Sequence, residues 1–423
     1  MNTAPPPLTT PPSDLNPSAL ESTVVASTFV SPSLFRKIVE FILALFLGAI
    51  CTQAPLFALI LVGWTYRSMQ RSVLKKWWKG SSLSQRFPSF ESTMFSFPLL
   101  KRYEKTPAWI LKEEPAPSSP SQFLVFRWLS TLFHSLFLNF KIGIQGIFNT
   151  GVLTLPAAVC WLAAWQIGWT ISFNKVYEQA QVGTLIGFLG VLLFIVAMLY
   201  VPLGQARQAI SGNWRRFYDF RLNWKIARSR WWILAGIAVF FSLAALPLNL
   251  LKTLPGFFPQ IFSESDFSSF SDQKLLDILN AYFFWTGMLC AFLYRLLYKY
   301  IALSFGSTLL HLVQKGEILP EQLDPKEREI LMQLELLESP KGSPQALLPK
   351  MVQKGVHLLF VGLSLGLAVL LWFTFVTQIF VAEFLMYHQM QGWLNQPLVQ
   401  LPWFRYIPEG LEQQTQEQKE QKE

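Results

Sequence analysis

Five stretches of this sequence, 148–171, 182–203, 231–251, 275–297 and 356–382, are nearly unbroken runs of apolar side chains. Each reaches the length of about 20 residues that an α-helix needs to cross roughly 30 Å of hydrocarbon. A soluble protein would have to cover that much apolar surface with polar side chains. Only 14% of the residues are charged, against about 25% in ordinary soluble domains. A sixth run, 41–64, carries Cys51-Thr52-Gln53-Ala54-Pro55 near its middle. Pro55 removes a backbone donor and crowds the preceding turn, so the run reads as one kinked span, with a bent helical hairpin as the alternative. The expected fold is all-α: an integral membrane helical bundle of about six transmembrane helices plus interfacial amphipathic helices. One of the latter is placed at 123–140, with Phe123, Phe126, Trp128, Leu132 and Phe133 turned to lipid.

Charge gives an orientation. The net charge is +9, yet the Lys and Arg residues flank apolar runs instead of forming a patch on a polar fold. That pattern points to anionic headgroups as partners and away from nucleic acid. Segments 65–142, 204–230 and 298–355 together hold 26 Lys and Arg, while 1–40, 172–181, 252–274 and 383–423 together hold 8. Positive residues near span ends collect on the cytoplasmic side. The expectation is therefore a multi-pass protein of the inner (cytoplasmic) membrane with the first three segments in the cytoplasm. If 41–64 is a hairpin, only the N-terminal tail changes sides.

The regions follow from this. Residues 1–33 read as a disordered Pro/Ser/Thr-rich tail. Residues 34–142 hold the first run, a basic loop and the interfacial helix, 143–304 a four-span core, and 305–355 a cytoplasmic segment. The last span is 356–382 and a polar tail occupies 383–423. Within 204–230, a continuous helix would group Trp214, Phe217, Phe220, Trp224 and Trp231 on one stripe with cations alongside. Arg215, Arg216, Arg221, Lys225 and Arg228, with Trp214 and Trp224, are the candidate headgroup contacts; the plainer reading makes them anchors of the neighbouring spans. Residues 324–338 read as a capped helix, with Asp324 as N-cap, Pro325 in the first turn and Glu327 three positions on. Its face of Ile330, Leu331, Leu334 and Leu337 packs on the protein itself or docks a partner protein.

Chemistry is hard to find. Ionisable groups at membrane depth are costly and mark function, and the spans hold few: Asp277 and Arg295 sit near opposite ends of one span. The mid-membrane polar residues Gln53, Gln166, Asn280 and Gln378 are accounted for by hydrogen bonds between helices. Gln53, Asn280 and Gln378 would instead line a path in a transporter. Gly362-Leu363-Ser364-Leu365-Gly366 matches G-x-S-x-G, but that elbow joins a strand to a helix. His357 lies about 10 Å from Ser364 along a straight helix, so close helix packing explains the glycines better. Gly183 and Gly187 form a second such pair, and Trp161, Trp165 and Trp169 share one helix face. Cys51, Cys160 and Cys290 lie in three different apolar runs and read as apolar fillers. No metal site, cofactor or catalytic residue is assigned.

Val201-Pro202-Leu203-Gly204-Gln205-Ala206-Arg207-Gln208-Ala209, followed by Gly212-Asn213-Trp214-Arg215-Arg216-Phe217-Tyr218-Asp219-Phe220-Arg221, resembles uncharacterised bacterial polytopic membrane proteins of the domain-of-unknown-function kind. Gly63-Trp64-Thr65-Tyr66-Arg67 is similar to them too. The resemblance implies a multi-pass inner-membrane protein and carries no catalytic residue. The function expected from the sequence is a non-enzymatic envelope scaffold or assembly factor that contacts anionic lipids or partner proteins. The alternative is a permease or lipid-handling transporter whose path is lined by helices kinked at Pro55, Pro156 and Pro247.

Overall fold

A computed structural model describes residues 34–87, 89–90, 93, 124–165, 180–257, 272–337 and 401–403, with isolated positions between 355 and 370. Residues 1–33, 383–400 and 404–423, the 113–121 linker and most of 356–382, including His357, Ser364 and Gln378, lie outside the described residues, as do Gln166 and Trp169. Gly362 and Gly366 are described and exposed.

Among the described residues the structure is helical, without a strand: α1 (Leu34–Cys51), α2 (Pro55–Lys79), α3 (Leu83–Arg86), α4 (Leu124–Trp165), α5 (Ala180–Ser211), α6 (Phe220–Ser229), α7 (Trp231–Thr253), α8 (Asp272–Gln314) and α9 (Pro325–Gln333). Three segments, Leu132–Ala164, Leu185–Ser211 and Gln273–Gln314, are long and apolar enough to cross a membrane. This is the composition of a membrane protein. Ile38–Cys51 and Val239–Lys252 are shorter apolar helices. The chain divides into two units, residues 1–42 and 43–423. The first contributes the exposed opening of α1, with Phe35, Ile38, Phe41 and Ile42; the remaining elements belong to the second.

The first apolar run is two helices. Pro55 stands at the start of α2, where its missing N–H costs nothing, so the break falls at Thr52–Ala54. A Cβ on Gly48 would touch Ala291, while Trp64 lies against the Arg295 guanidinium one turn further along α8. In one straight helix, residues 48 and 64 would stand about 24 Å apart. The end of α1 therefore turns back beside α2, and the hairpin is the correct reading. The turn is pinned to α8: the Gln53 amide nitrogen donates to the Phe283 carbonyl at 3.0 Å, and Gly287 leaves room for Thr52.

The separate interfacial helix at 123–140 is also corrected. Nothing after Phe140 stops the helix, and α4 runs on unbroken for 42 residues. Its length, about 63 Å, is twice the hydrocarbon thickness. Phe133 is exposed and Leu132 half-buried, but the face bearing Ser135, Asn139, Gly143 and Gly146 is turned inward against α2. A methyl at Gly63 would overlap the Asn139 carbonyl, and one at Gly143 would overlap the Leu59 carbonyl. The two backbones touch at these points. Dispersion falls off so steeply with separation that this contact, lost over a fraction of an ångström, is a main source of cohesion between the helices.

Gly63→Ala and Gly143→Ala are each expected to force α2 and α4 apart at a cost of about 1–3 kcal/mol. Gly187→Ala, whose methyl would meet Ala164 at an ordinary 3.5 Å, should be close to neutral. Thermal melting in detergent compares the three, and equal midpoints would refute the close-packing account.

Candidate functional site: a buried ion cluster and an aromatic–basic face

Chain reversal at the end of α5 creates the site. Gly212 adopts φ +65 and its N–H caps the Gln208 carbonyl at 3.0 Å, ending the helix. Asn213 then caps a 3-10 turn, Trp214–Tyr218, by accepting from the Arg215 N–H at 3.1 Å. Asp219 opens α6. The continuous helix expected over 204–230 is thus broken, and its single aromatic stripe with it. Phe217 is fully buried in the core, whereas Phe220 and Trp224 are 49% and 68% exposed.

The buried half of the site is ionic. Arg207, on the last turns of α5, has no exposed surface. Its Nη1 donates to both carboxylate oxygens of Glu327, and its Nε donates to Asp219 Oδ2 at 3.2 Å. Glu327 also accepts from the Asp324 N–H at 3.1 Å, completing the capping box of α9. Asp324 accepts from Arg216 Nε at 3.0 Å and from Asn213 Nδ2 at 3.3 Å. Two guanidinium groups and three carboxylates thereby join α5, the 3-10 turn and the start of α9.

The carboxyl groups respond in opposite directions. Burial lifts Glu327 above the usual carboxylate range, and the Arg207 contacts only partly undo it. Burial also pushes Asp324 upward, but the bonds from Arg216, the Lys326 N–H and Asn213 more than reverse that, leaving it low. On energy alone the ion pair is a poor clamp, since desolvation cancels most of its Coulomb gain. The α9 face is the stronger one. Ile330, Leu331 and Leu334 are buried, worth about 1.5–3 kcal/mol each, while Leu337 is half-buried. Packing on the protein itself accounts for that face; the ions help to set its register.

A second polar chain crosses the bundle beside this cluster. Asn149 Nδ2 donates to the Trp214 carbonyl and to Gln208 Oε1, both at 2.9 Å, and Tyr218 donates to Asn149 Oδ1 at 3.1 Å. Tyr298 donates to Gln205 Oε1 at 2.7 Å, and the Gln205 amide nitrogen to Thr150 at 3.0 Å.

The exposed half is α6. Asn223, Ile226 and Ala227 face the core, and Phe220, Arg221, Trp224, Lys225 and Arg228 face outward. Trp214 is partly exposed, with the Arg215 guanidinium 5.7 Å from its ring centre. Of the seven candidate headgroup contacts, Arg216 is the one drawn into the ion cluster. Lys225 Nζ also donates to the Glu317 carbonyl. Of the described mid-membrane candidates, Gln53 bonds to Phe283, Ala49 and Thr52, and Asn280 is exposed.

Arg207 and Glu327 escape a pattern search because each looks ordinary alone, one as a cation at a span end, the other as a capping residue. The overlooked signal is Gly212-Asn213, a helix stop that forces the chain back over the preceding turn. No family model, curated protein or solved structure matches the chain.

Glu327→Gln keeps the capping geometry but leaves Arg207 buried without its main counter-charge, and should cost about 3–5 kcal/mol. Arg207→Met combined with Glu327→Met should recover most of it, as read by melting in detergent. Asp324 is low in the folded state, so its contribution is complete above its unfolded value near 3.9 and disappears as pH falls through the depressed one. Asp324→Asn should therefore flatten the acid limb of a stability–pH profile below about pH 4. An unchanged limb would remove Asp324 from the cluster's energetics.

Proposed function

We propose that this protein is a multi-pass inner-membrane protein that works without catalysis, as an envelope scaffold or assembly factor holding anionic lipids or partner proteins at its cytoplasmic edge. The observation that carries this reading is the division of α6 into two faces. Its inner face is locked to the bundle, so Phe220 and Trp224 stand in fixed positions with Arg221, Lys225 and Arg228 beside them. Rings that sink to headgroup level beside cations that meet phosphates are the chemistry of an interfacial anchor.

The charge distribution supports the same side. The basic end of α2, with exposed Lys75, Lys76 and Lys79, lies on the side of α6. Each cation near such a surface adds about 1 kcal/mol of attraction to anionic lipid. The ion cluster has a mechanical part in this function, since it fixes the turn from which α6 projects.

Reconstituted into nanodiscs with brominated lipids, the wild-type protein should lose a component of tryptophan fluorescence that Trp224→Phe lacks. Arg221→Glu/Lys225→Glu/Arg228→Glu should lower the co-purified phosphatidylglycerol at least severalfold. Quenching identical in Trp224→Phe, together with unchanged lipid retention in the triple variant, would sink the proposal.

A further inference from the structure

One side of α8 carries an exposed apolar stripe: Ile278, Trp285, Leu289, Phe292 and Leu296. From Ile278 to Leu296 the helix rises about 27 Å, close to the roughly 30 Å of bilayer hydrocarbon. The stripe ends in polar tips. Lys299 and Tyr300 are the next exposed residues, and no later residue of α8 is exposed. A bilayer matched to the stripe therefore has its headgroups at the level of residues 295–300.

At that level a cation is set into the edge of the stripe. Arg295 is half-buried and lays its guanidinium over the Trp64 ring of α2, 3.9 Å from the ring centre. Trp64 is buried and stands about one turn before Arg67, the first cation of α2. Stacking fixes the plane of the guanidinium fork but spends none of its hydrogen bonds. Arg295 Nε is enclosed and unbonded, as is Trp64 Nε1. Arg295 forms no ion pair among the described residues, and neither does exposed Lys299, four residues further on along the same face. Like charges at that spacing repel each other, and low-dielectric surroundings strengthen the repulsion.

Two neighbouring cations with unspent donors suit an oxyanion and repel a metal ion. The apolar stripe that leads to them suits hydrocarbon, for which a free phosphate has no use. A phospholipid supplies both, with acyl chains along α8 and a phosphodiester where the guanidinium can make paired, charge-assisted bonds. We propose that Arg295, stacked on Trp64, and Lys299 form a binding site for the phosphodiester of one anionic phospholipid, whose chains lie along the face from Trp285 to Leu296. A choline headgroup would add a third positive charge here, so the site selects against it. The site deepens the function proposed above and rests on it in one respect: α8 crosses the bilayer. It shares no residue with the α6 face and does not depend on which compartment either end of α8 meets.

The test titrates the full-length protein in a neutral detergent with dioleoyl phosphatidylglycerol and, separately, dioleoyl phosphatidylcholine, counting bound lipids by native mass spectrometry. One phosphatidylglycerol should bind about tenfold more tightly than any phosphatidylcholine. Arg295→Gln should lose about tenfold of that affinity. Lys299→Gln alters an exposed side chain without an ion pair among the described residues, so it should fold as wild type and lose affinity severalfold. Phosphatidylglycerol should also raise the melting temperature of the wild type but not of Arg295→Gln. A purely structural Arg295 would lower the midpoint and leave the lipid-induced rise intact, which would overturn the proposal. Equal wild-type affinity for the two lipids, or an affinity unmoved by both substitutions, would overturn it too. The Arg221→Glu/Lys225→Glu/Arg228→Glu variant should keep the tight lipid while losing the weaker ones. If it loses lipid and Arg295→Gln does not, the α6 reading survives and this site falls; the reverse pattern leaves the site standing without α6.

Discussion

A fully buried arginine sets the terms for this molecule. Arg207 sits on a helix whose preceding turns are among the most apolar in the chain, and its guanidinium cannot remain charged there unpaired. Everything nearby is arranged around that demand. The chain reverses at Gly212 so that Asp219 comes back within reach, and α9 is brought across so that Glu327 closes on the remaining side. Buried Asp324 and partly exposed Arg216 extend the pairing outward. The stability of α9 comes from its leucines and isoleucine, and the ions add to the setting of its register. Sliding it by one residue would turn Glu327 off Arg207 and rotate Ile330, Leu331 and Leu334 about 100° from the core.

The second organising contact is of the opposite kind. At Gly63 and Gly143, α2 meets α4 backbone against backbone. Such proximity brings the polar edge of α4, with Asn139 and Gln145, beside Arg67 on α2. A partly polar cavity lies there, between α2, α4 and the end of α5. The helix crossing and the cavity are one feature: widen the crossing and the cavity walls draw apart. The turn between α1 and α2 is similarly dictated by a small residue, Gly287, with Gln53 as its hydrogen-bonding peg.

These contacts divide the labour within a lipid-facing protein. Apolar side chains such as Phe133, Phe137, Leu185 and Val196 are exposed on the outside of the helices, where a bilayer would solvate them. Polar groups such as Asn149, Gln205 and Gln208 are gathered inside and bonded to one another or to the backbone. At the end of the bundle the pattern reverses, and α6 presents rings and cations outward from an apolar seat. A short helix of that kind would have little persistence alone. Seated by Ile226 and Ala227, it holds its outer side chains in fixed positions.

Much of the helical content could be read directly. A run such as 182–203 leaves no alternative to a helix, because in hydrocarbon each backbone group must bond within its own segment. The capping box at Asp324 and Glu327 is equally local and equally legible, since all its atoms lie within four residues. What periodicity could not supply is where a helix stops when two signals compete. Over 204–230 the aromatic spacing favoured one continuous stripe, yet Gly212-Asn213 broke it and sent Phe217 inward. Over 41–64 the apolar length suited a single span, but Pro55 began a new helix that folded back. The sequence by itself determined that the chain is helical and made for lipid, because these follow from composition and nearest neighbours. Only the tertiary structure decided that Arg207 belongs to Glu327 and that Tyr66, Gln145 and Gln208 share one cavity. Those pairings join residues far apart in the chain, through crossings that no local pattern encodes.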